Sequence, residues 1–582
     1  MGDARVISIS AAPDHDAMIP DSTAHHENEW YNQDFDGYRI TEQPLFTKRR
    51  VRLVCVGAGA AGLQIAYKAE RLLENVELQI YEKNNDVGGT WLENRYPGCT
   101  CDIPSHSYQF TWEKNPNWSK FYSSSEEIWR YMKHVATKYG LEKYVKFNTK
   151  VESATWDEEV GVWRLKLVGP DGTPFEDQCE ILANGTGVLN SYKFPDLPGI
   201  EQFEGKLMHS AAWDSSYDLN GKTVVVIGGG SSAIQIIPNI QPVVGKLIPF
   251  LRSPVWVTTG FGAKYAAPGG TNFEYSKEQI ETFQKDPAAL AKYCRDIEGE
   301  LNKRFTLMQR TSKDQKNSRE LIANMMTEQL GNAELAEKMI PKYDLGCRRM
   351  TPGPGYLQSL TKDNVQVVNK SVINFSKDGV VDESGVEHKA DVVICATGFD
   401  VSFTPHFDVF GQNGANIKEE FGEVPKAYLS ITAPKFPNLF LLIGPNGPAS
   451  HSSLIPILEW HTRYMFQMIE KFQTEDIKSF SPKLEVAQEL FNHTHELMKR
   501  LAWSSPCRSW FKMGKQHGPV TAIYPGSRLH YFEMLKTPRY EDYEIVYRNK
   551  NRFQFMGNGY THTELDPDGD PVWYFDDPFV KV

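Results

Sequence analysis

Residues 51–62 read VRLVCVGAGAAG, an apolar run followed by Gly57, Gly59 and Gly62. The apolar run predicts a buried strand, and the stretch 63–73 predicts a helix after the glycines. Gly57 and Gly59 permit a tight turn and close approach of the backbone to a pyrophosphate, while Gly62 lets the helix pack against the strand. This stretch therefore predicts the strand, turn and helix that open a dinucleotide-binding Rossmann unit.

The residues that follow complete the unit. A second predicted strand, Val76 to Tyr81, ends at Glu82, which lies 20 positions beyond Gly62. A carboxylate at that distance accepts hydrogen bonds from an unmodified ribose. The helix N-terminus offers free N–H groups to the phosphates. The first site is thus predicted to bind an adenine dinucleotide with free ribose hydroxyls.

The same pattern returns after the apolar run 223–227, but the strand that follows it ends differently. The second turn contains Gly228, Gly230, Ser231 and Ser232, with Ala233 in the third glycine position. The next predicted strand, 247–251, finishes at Arg252 and Ser253 instead of at an acid. A guanidinium there can bind a 2′-phosphate through two hydrogen bonds and would be left unpaired by NADH. The second ligand is therefore predicted to be NADPH; the alternative is that Arg252 is a surface cation.

Composition limits the classes of protein that fit. With 582 residues, 40% of them hydrophobic, the chain is long enough for two or three domains. A formal charge of -11 argues against a general nucleic-acid binder. The eight cysteines are spread thinly and are predicted to be reduced thiols in a cytoplasmic protein. No signal peptide, membrane span or zinc-type cluster is recognisable, so neither a membrane nor a metal is predicted.

The first site is predicted to bind a dinucleotide without a 2′-phosphate, and the second site one that carries it. Together the two sites imply FAD and NADPH. The predicted fold class is α/β, with two Rossmann-like dinucleotide-binding domains, the NADP domain carrying a helical insertion. In chain order, the prediction is an N-terminal extension (1–45), a first segment of the FAD-binding domain (46–187), a first segment of the NADP-binding domain with the linker (188–259), the helical insertion (260–342), a second segment of the NADP-binding domain (343–390), a second segment of the FAD-binding domain (391–540) and a C-terminal extension (541–582).

The linker between the two glycine turns carries the most specific motif of the chain. Residues 203–214 read FEGKLMHSAAWD and fit the pattern F-x-G-x-x-x-H-x-x-x-W-[PD]. The matching residues are Phe203, Gly205, His209, Trp213 and Asp214. By this run the chain resembles the type I Baeyer-Villiger monooxygenases, over roughly residues 45 to 540. In relatives the histidine resembles a domain-coupling residue, so His209 is not predicted to be a general base.

Further matches to the family implicate residues around the flavin ring. The segment from 88 to 108 resembles the wall beside the isoalloxazine, and the Ala-Thr-Gly run at 396–398 resembles the motif that closes the FAD domain. By this resemblance the additional cofactor-binding residues are Gly89, Thr90, Trp91, Asp102, Tyr108, Val151 and Gln235. Trp510 is predicted to contact the nicotinamide half of NADP, with a core tryptophan as the alternative.

The family chemistry implies roles for two adjacent arginines. NADPH reduces FAD, O2 adds to give a C4a-peroxyflavin, and one oxygen atom is inserted beside the carbonyl of a small-molecule ketone to give an ester or lactone. A cation beside the peroxide keeps it deprotonated and stabilises the oxyanion of the adduct. Arg349 is assigned this role by resemblance, Asp102 is its expected carboxylate partner, and Arg348 aligns with a second contact to the 2′-phosphate. The alternative for the arginine pair is a solvated basic turn.

Other functions remain open at this stage. A related flavin monooxygenase that oxygenates nitrogen or sulfur would share both glycine turns, and a nucleotide-binding redox sensor would bind FAD without consuming NADPH. The family's G-x-N-x-P-G segment is replaced by Gly518-Pro519-Val520 and the run 524–527, so the mobile loop over the site is not identified. The sequence defines neither the ketone nor the oligomeric state.

Overall fold

The computed structural model describes residues 25–450 and 452–580. Strands in these ranges are, in chain order, β1 (Val51–Val56), β2 (Val76–Tyr81), β3 (Val145–Lys146), β4 (Lys150–Asp157), β5 (Val162–Val168), β6 (Pro174–Cys179), β7 (Ile181–Asn184), β8 (Lys206–His209), β9 (Thr223–Ile227), β10 (Lys246–Phe250), β11 (Val257–Thr258), β12 (Thr351–Pro352), β13 (Val372–Ser376), β14 (Gly379–Asp382), β15 (Glu387–Lys389), β16 (Val392–Cys395), β17 (Asp408–Phe410), β18 (Leu439–Leu441), β19 (Ile477–Pro482) and β20 (Tyr543–Tyr547).

The α-helices of the same ranges are α1 (Ala60–Leu72), α2 (Thr90–Glu93), α3 (Ser125–Lys138), α4 (Ser231–Ile240), α5 (Lys277–Lys285), α6 (Pro287–Asn302), α7 (Lys313–Leu330), α8 (Ala333–Met339), α9 (Tyr356–Ser359), α10 (Ile417–Phe421), α11 (Ile455–Thr474), α12 (Leu484–Met498), α13 (Arg528–Met534) and α14 (His562–Leu565). Four of them, α5 to α8, lie between β11 and β12 and fall within the stretch predicted as a helical insertion.

The first sheet has five parallel strands in the order β18-β7-β1-β2-β3. Its central strand, β1, pairs with β2 from Val51 opposite Val76 to Val56 opposite Tyr81. Both predicted strands are confirmed, and β1, which is buried at all positions but Arg52, has the largely apolar sequence of a strand covered on both faces. The helix after the turn begins at Ala60, three residues earlier than predicted, with Gly59 as its N-cap. The carboxyl ends of β1 and β2 therefore bring the glycine turn and Glu82 to one edge.

The second sheet has four parallel strands in the order β10-β9-β16-β8. Val392–Cys395, the strand β16, is fully buried between β9 and β8. The predicted domain boundary at residue 391 is therefore wrong, because it places this strand in the FAD domain. The apolar side chains of β16 fill the middle of the second sheet, and the chain returns to the first unit only after them. The two parallel sheets confirm the α/β class with two Rossmann-like units.

The predicted terminal extensions differ in how far they belong to the folded unit. β20 pairs antiparallel with β19, and Tyr543 is buried with its hydroxyl 2.9 Å from that of Tyr464. Tyr543 thus belongs to the core and the stretch 543–547 to the folded unit, although the predicted C-terminal extension begins at 541. Of the predicted N-terminal extension, residues 1–24 lie outside the described ranges. Near its other end, the backbone N–H of Leu45 donates to the carbonyl of Tyr560.

The cysteines depart from the prediction at one pair. Cys347 and Cys507, 160 positions apart, form a disulfide, with their Cα atoms 6.3 Å apart. The other six cysteines are free and buried. The prediction that all eight are reduced thiols is therefore wrong for this pair. The fold packs the segment that returns from the insertion against the segment at 503–507, and spacing along the chain gives no sign of that contact.

The longest α-helix of the described ranges, Ile455–Thr474, packs against α1 on one face of the first sheet. It buries apolar residues together with His461, while charged side chains such as Glu470 and Lys471 lie along its remaining surface. Of the helices in residues 25–450 and 452–580, none combines the length and the apolar character that crossing a bilayer requires.

Candidate active site

The first glycine turn brings backbone against backbone. A Cβ on Gly57, whose φ is +107°, would lie 2.6 Å from the carbonyl oxygen of Gly185, and one on Gly62 would lie 2.2 Å from that of Gly57. Gly89 approaches the same turn, because a Cβ there would lie 3.1 Å from the Cα of Gly59. The floor of this site is therefore bare backbone beside the start of α1, as close approach of a pyrophosphate requires.

Glu82 lies at the end of β2, buried beside this turn. One carboxylate oxygen accepts from the backbone N–H of Ala58 and the other from that of Asn84, each at 2.8 Å. Burial raises the pKa of Glu82, and these two amide donors oppose the rise. A carboxylate oxygen accepts more than one hydrogen bond, so Glu82 keeps acceptor capacity for a ribose hydroxyl.

The segment predicted as the flavin wall forms an aromatic corner. The indole N–H of Trp91 donates to the hydroxyl of Tyr108 at 3.1 Å, and the two rings meet edge to face with centroids 5.4 Å apart. Burial raises the pKa of Tyr108. Thr90 opens the short helix α2, and its hydroxyl accepts from the amide of Asn94. The rings of Trp91 and Tyr108 thus form one apolar side of the site, and the hydrogen bond from Trp91 holds the Tyr108 hydroxyl in place.

Arg349 and Asp102 form a bidentate ion pair in this region. Nε of Arg349 donates to one carboxylate oxygen of Asp102 at 2.9 Å, and a terminal nitrogen donates to the other at 2.7 Å. The guanidinium also lies 5.8 Å from the ring centroid of Phe261, a residue of the predicted insertion. Burial alone would lower the pKa of Arg349, but the charge of Asp102 more than offsets this, and the pKa is raised. The guanidinium is thus permanently charged and held in one plane by its partner.

The second glycine turn has the geometry of the first. A Cβ on Gly228, whose φ is +131°, would lie 2.3 Å from the carbonyl oxygen of Ala396. Gly230 is the N-cap of α4 and has no side-chain cap. Ser231 is hydrogen-bonded to Thr351 at 2.7 Å between their hydroxyl oxygens. Because Thr351 lies two residues beyond Arg349, this contact couples the start of the second nucleotide helix to the segment carrying the arginine.

Gln235 and Ser232 connect the second unit to the flavin wall. The side-chain oxygen of Gln235 accepts from the hydroxyl of Tyr96 at 2.9 Å, and its amide donates to the carbonyl of Thr100 at 3.0 Å. Ser232 is hydrogen-bonded to the same Tyr96. Gln235 is predicted to contact a cofactor, yet its amide is already occupied between the two units. Its position fits a residue that fixes their spacing.

Three arginines gather at the end of β10. Burial lowers the pKa of Arg252, and the neighbouring charges of Arg508 and Arg348 lower it further. Within the described ranges, none of the three has a carboxylate oxygen within 4.0 Å. Ser253 follows Arg252 at the rim of the glycine turn, its carbonyl oxygen 4.0 Å from the Cβ position of Gly229. The charge of Glu383 opposes this lowering of the Arg252 pKa, although Glu383 forms no ion pair with any of the three arginines within 4.0 Å. Arg508 was missed by the sequence reasoning, because no motif marks it.

The linker motif has a local steric basis. A Cβ on Gly205 would lie 2.4 Å from the ring of Phe203 and 2.6 Å from the carbonyl oxygen of Asp391. The carboxylate of Asp214 accepts from Lys206 and from the backbone N–H of Ser216, and these bonds lower the pKa of Asp214 to about 2. Trp213 packs against the core of the second sheet. The motif therefore closes the strand β8 into a compact turn.

His209, at the end of β8, is fully buried and joins three segments. Its ring stacks on Tyr192 with centroids 4.5 Å apart, Nδ1 accepts from the backbone N–H of Ala211, and Nε2 lies 3.3 Å from the hydroxyl of Thr397. Burial lowers its pKa to about 4. A neutral imidazole held on both nitrogens fits the domain-coupling role that the resemblance implies.

Two predicted cofactor residues lie at less open positions. Val151, on β4, has its side chain in the apolar core, which leaves only its backbone for a ligand. Trp510 is partly buried and lies edge to face with Phe511, with centroids 4.7 Å apart. Its contact with a nicotinamide remains a prediction.

Buried neutral histidines predict sensitivity to acid. Burial lowers the pKa of His106 and His461 to about 3 and that of His209 to about 4, against about 6.5 in the unfolded chain. As the pH falls below about 6.5, the unfolded chain takes up protons at these residues and the folded chain does not, so the free energy of unfolding falls by ~1.4 kcal/mol per histidine and pH unit. Urea unfolding at about pH 7.5 and about pH 5.5 measures this loss. The variant His209→Gln, which cannot titrate, should show a smaller loss; an equal loss in both would contradict the prediction.

Comparisons with known proteins agree with this geometry. Residues 55–125 match the model of an NAD(P)-binding Rossmann-like domain, and residues 109–247 match that of L-lysine 6-monooxygenase/L-ornithine 5-monooxygenase. The FAD-binding monooxygenase tazF of Aspergillus terreus is 40% identical over 91% of this chain and 95% of its own length. A Baeyer-Villiger monooxygenase of Pseudomonas aeruginosa is 30% identical over 82% of this chain and 88% of its own.

The same fold occurs in a solved structure. The cyclohexanone monooxygenase from Rhodococcus sp. Phi1 bound to NADP+ superposes with a TM-score of 0.74 at 25% identity, covering 86% of this chain and 100% of that chain. The relatives, together with the two Rossmann-like units, identify a flavin-dependent monooxygenase. The chain belongs to the Baeyer-Villiger type family of FAD-binding monooxygenases.

Proposed function

We propose that this protein is a Baeyer-Villiger monooxygenase that converts a ketone into an ester or lactone, using FAD, NADPH and O2. One oxygen atom enters the product beside the carbonyl carbon, the other leaves as water, and NADPH supplies the two electrons. The observation that carries the proposal is the bidentate pair of Arg349 and Asp102, set between the flavin wall and the segment that returns from the insertion.

The residues around both glycine turns fit the two cofactors. At the first turn, bare backbone at Gly57 and Gly62 together with the acceptor Glu82 would hold FAD, which has no 2′-phosphate. At the second, the backbone of the turn from Gly228 to Gly230 would approach a pyrophosphate, and Arg252 and Arg348, which have no carboxylate oxygen within 4.0 Å among the described residues, would hold the 2′-phosphate of NADPH. Bound FAD, once reduced, supplies the chemistry of oxygen activation.

Arg349 carries the charge that the reaction needs. Attack of an oxygen nucleophile on a ketone carbonyl develops negative charge, first on the nucleophile and then on the former carbonyl oxygen. A fixed guanidinium stabilises that charge without rearranging in the transition state. Asp102 holds the guanidinium plane, and Phe261 covers one side of it, which reduces the access of water. Tyr108 and Trp91 close the site on the flavin side.

A product assay tests the proposal directly. Purified yellow protein is incubated with NADPH, air and a panel of cyclic, linear and aromatic ketones, and the products are identified by gas chromatography with mass spectrometry. Incorporation of one atom of 18O2 into an ester or lactone is the expected result. Consumption of NADPH with no ester from any ketone, but with hydroxylated amines or sulfoxides, would overturn it.

Asp102→Asn tests the carboxylate of the pair. The amide keeps the shape and one acceptor oxygen but loses the charge, so Arg349 is held less firmly, and we expect kcat to fall about 10-fold, the effect of one charge-assisted hydrogen bond. The measurement is the steady-state rate of ester formation at saturating NADPH. Asp296→Asn, on the exposed side of α6, serves as the matched control and should leave the rate unchanged. An unchanged rate in Asp102→Asn would remove Asp102 from the site.

Oxygenation of nitrogen or sulfur is the second candidate. The observation in its favour is the match of residues 109–247 to the lysine and ornithine monooxygenase model. That stretch spans the Rossmann turn at 228–233 and ends before Arg349, so it does not cover the residue on which ketone chemistry depends. Adding lysine, ornithine and an aryl sulfide to the ketone panel separates the two candidates.

A further inference from the structure

Arg508 belongs to a cation cluster that the fold assembles from three distant segments. Arg252 lies two residues beyond β10, Arg348 follows the insertion, and Arg508 lies two residues before Trp510. The charges of Arg508 and Arg348 both lower the pKa of Arg252, and the charge of Glu383, which forms no ion pair with any of the three within 4.0 Å, opposes them. Three like charges repel one another unless an anion lies among them. The cluster is therefore built for a group with more than one negative charge, such as a phosphate monoester.

A covalent bond holds two of these cations together. Cys347 directly precedes Arg348, Cys507 directly precedes Arg508, and the disulfide links the two cysteines with their Cα atoms 6.3 Å apart. Both cysteines are buried, whereas Arg508 is exposed at the surface. The bond therefore fixes the backbone at the root of each arginine, while the guanidinium of Arg508 stays at the surface and that of Arg348 is hydrogen-bonded to Tyr343.

Lys512, a buried lysine, contacts the backbone and the sulfur next to the Cys347–Cys507 disulfide. Its ammonium donates to the carbonyl oxygens of Ser505 at 2.6 Å and Gln516 at 3.1 Å, and lies 3.7 Å from the sulfur of Cys347. It is almost fully buried, and burial lowers its pKa to about 8. The backbone around Cys507 is thus held both by the disulfide and by a buried lysine.

We propose that Arg508 is a third cation for the 2′-phosphate of NADPH and that the Cys347–Cys507 disulfide positions it beside Arg348. The inference rests on the proposed function, since it assumes that NADPH is the ligand of the second glycine turn. It adds a specificity-determining residue and a positioning bond to that site. A ligand without the 2′-phosphate gains nothing from either.

The test measures binding of two nucleotide fragments to the FAD-loaded protein by calorimetry. Adenosine 2′,5′-bisphosphate carries the 2′-phosphate and 5′-AMP does not. Arg508→Ala should weaken the dissociation constant of the bisphosphate about 10-fold and leave that of 5′-AMP unchanged, the loss of one charge-assisted contact. Arg500→Ala is the matched control, an exposed arginine of the neighbouring segment whose charge is not among those acting on Arg252.

Arg252→Ala is measured in the same assay. It separates the proposed role of Arg508 from the proposal that NADPH binds at the second glycine turn. If Arg252→Ala weakens the bisphosphate and Arg508→Ala does not, the role of Arg508 is overturned and the NADPH site stands. If neither variant changes the preference for the bisphosphate over 5′-AMP, the NADPH site itself is overturned.

The disulfide is tested in the same assay. Alkylation after denaturation should modify six cysteines before treatment with tris(2-carboxyethyl)phosphine and eight after it, because the phosphine gives two electrons to the disulfide and becomes the phosphine oxide. Reduced wild type and Cys507→Ser should both bind the bisphosphate roughly 2- to 10-fold more weakly, the cost of ordering one side chain anew.

Two control variants show whether an effect of reduction is due to the Cys347–Cys507 disulfide. Cys507→Ser should not respond to the phosphine, and Cys294→Ser, which removes a free buried cysteine on α6, should bind like the wild type before and after reduction. Eight alkylated cysteines without reduction, or unchanged bisphosphate binding after reduction, would overturn the positioning role of the bond.

Discussion

Replacing Arg349 with alanine should lower the rate of ester formation by about 10²- to 10³-fold, the typical effect of removing one donor that stabilises an oxyanion. The guanidinium is the charged group held by Asp102 beside the aromatic corner. Its loss removes the stabilisation of developing negative charge and also leaves the half-buried Asp102 without its ion-pair partner. FAD should remain bound, because the contacts at Gly57, Gly62 and Glu82 are unchanged.

The measurement is a product assay at saturating NADPH together with the visible spectrum of the bound flavin. Arg349→Lys is the informative companion, because lysine keeps the charge but cannot form the bidentate pair, and its rate should lie between those of alanine and wild type. Arg164→Ala removes an exposed arginine of β5 that is paired with Asp157 of β4, and it controls for the loss of a surface ion pair. Ester formation at the wild-type rate in Arg349→Ala would refute the proposed mechanism.

Replacing Arg252 with alanine should reduce the preference for NADPH over NADH by about 10- to 150-fold, the range of one charge-assisted contact to a phosphate. Arg252 has no carboxylate partner within 4.0 Å among the described residues, so its charge is free for a ligand. The effect should fall on KM for NADPH, because the 2′-phosphate lies away from the reacting nicotinamide and its contact is uniform in ground and transition states.

The ratio of kcat/KM for the two coenzymes measures this preference. Lys246→Ala is the matched control, because Lys246 is an exposed cation on the same strand, β10, at the end opposite the glycine turn. A ratio that stays at the wild-type value in Arg252→Ala would show that the strand-end arginine does not distinguish the coenzymes.

Local patterns in the sequence were sufficient to predict the two glycine turns and the strands beside them. The strands β1 and β9 were confirmed because a parallel strand covered on both faces has an apolar signal, and β2 was confirmed although it carries Glu77 and Gln79. The positions of Glu82 and Arg252 followed from the same register, since each ends the strand after a glycine turn. The pairing of Arg349 with Asp102 came from family resemblance, and no spacing within this chain would have revealed it.

Contacts between distant segments could not be predicted from local patterns. β16 was assigned to the wrong domain because an apolar strand looks the same in either sheet. The disulfide joins cysteines 160 positions apart, and Arg508, next to that bond, lies near enough to Arg252 for its charge to lower the pKa of Arg252. Each of these features depends on how the insertion and the returning segment pack, which a single sequence does not report.

The strand order of the second sheet has a consequence for the newly made chain. During synthesis from the N-terminus, β7, β1, β2 and β3 are all complete once Asn184 has left the ribosome, so most of the first sheet can pair early. β8 and β9 emerge soon afterwards, but the strand that separates them, β16, follows β9 by more than 160 residues. Until Cys395 appears, both strands present open edges, which is where a nascent protein is prone to aggregate and where chaperones would engage it.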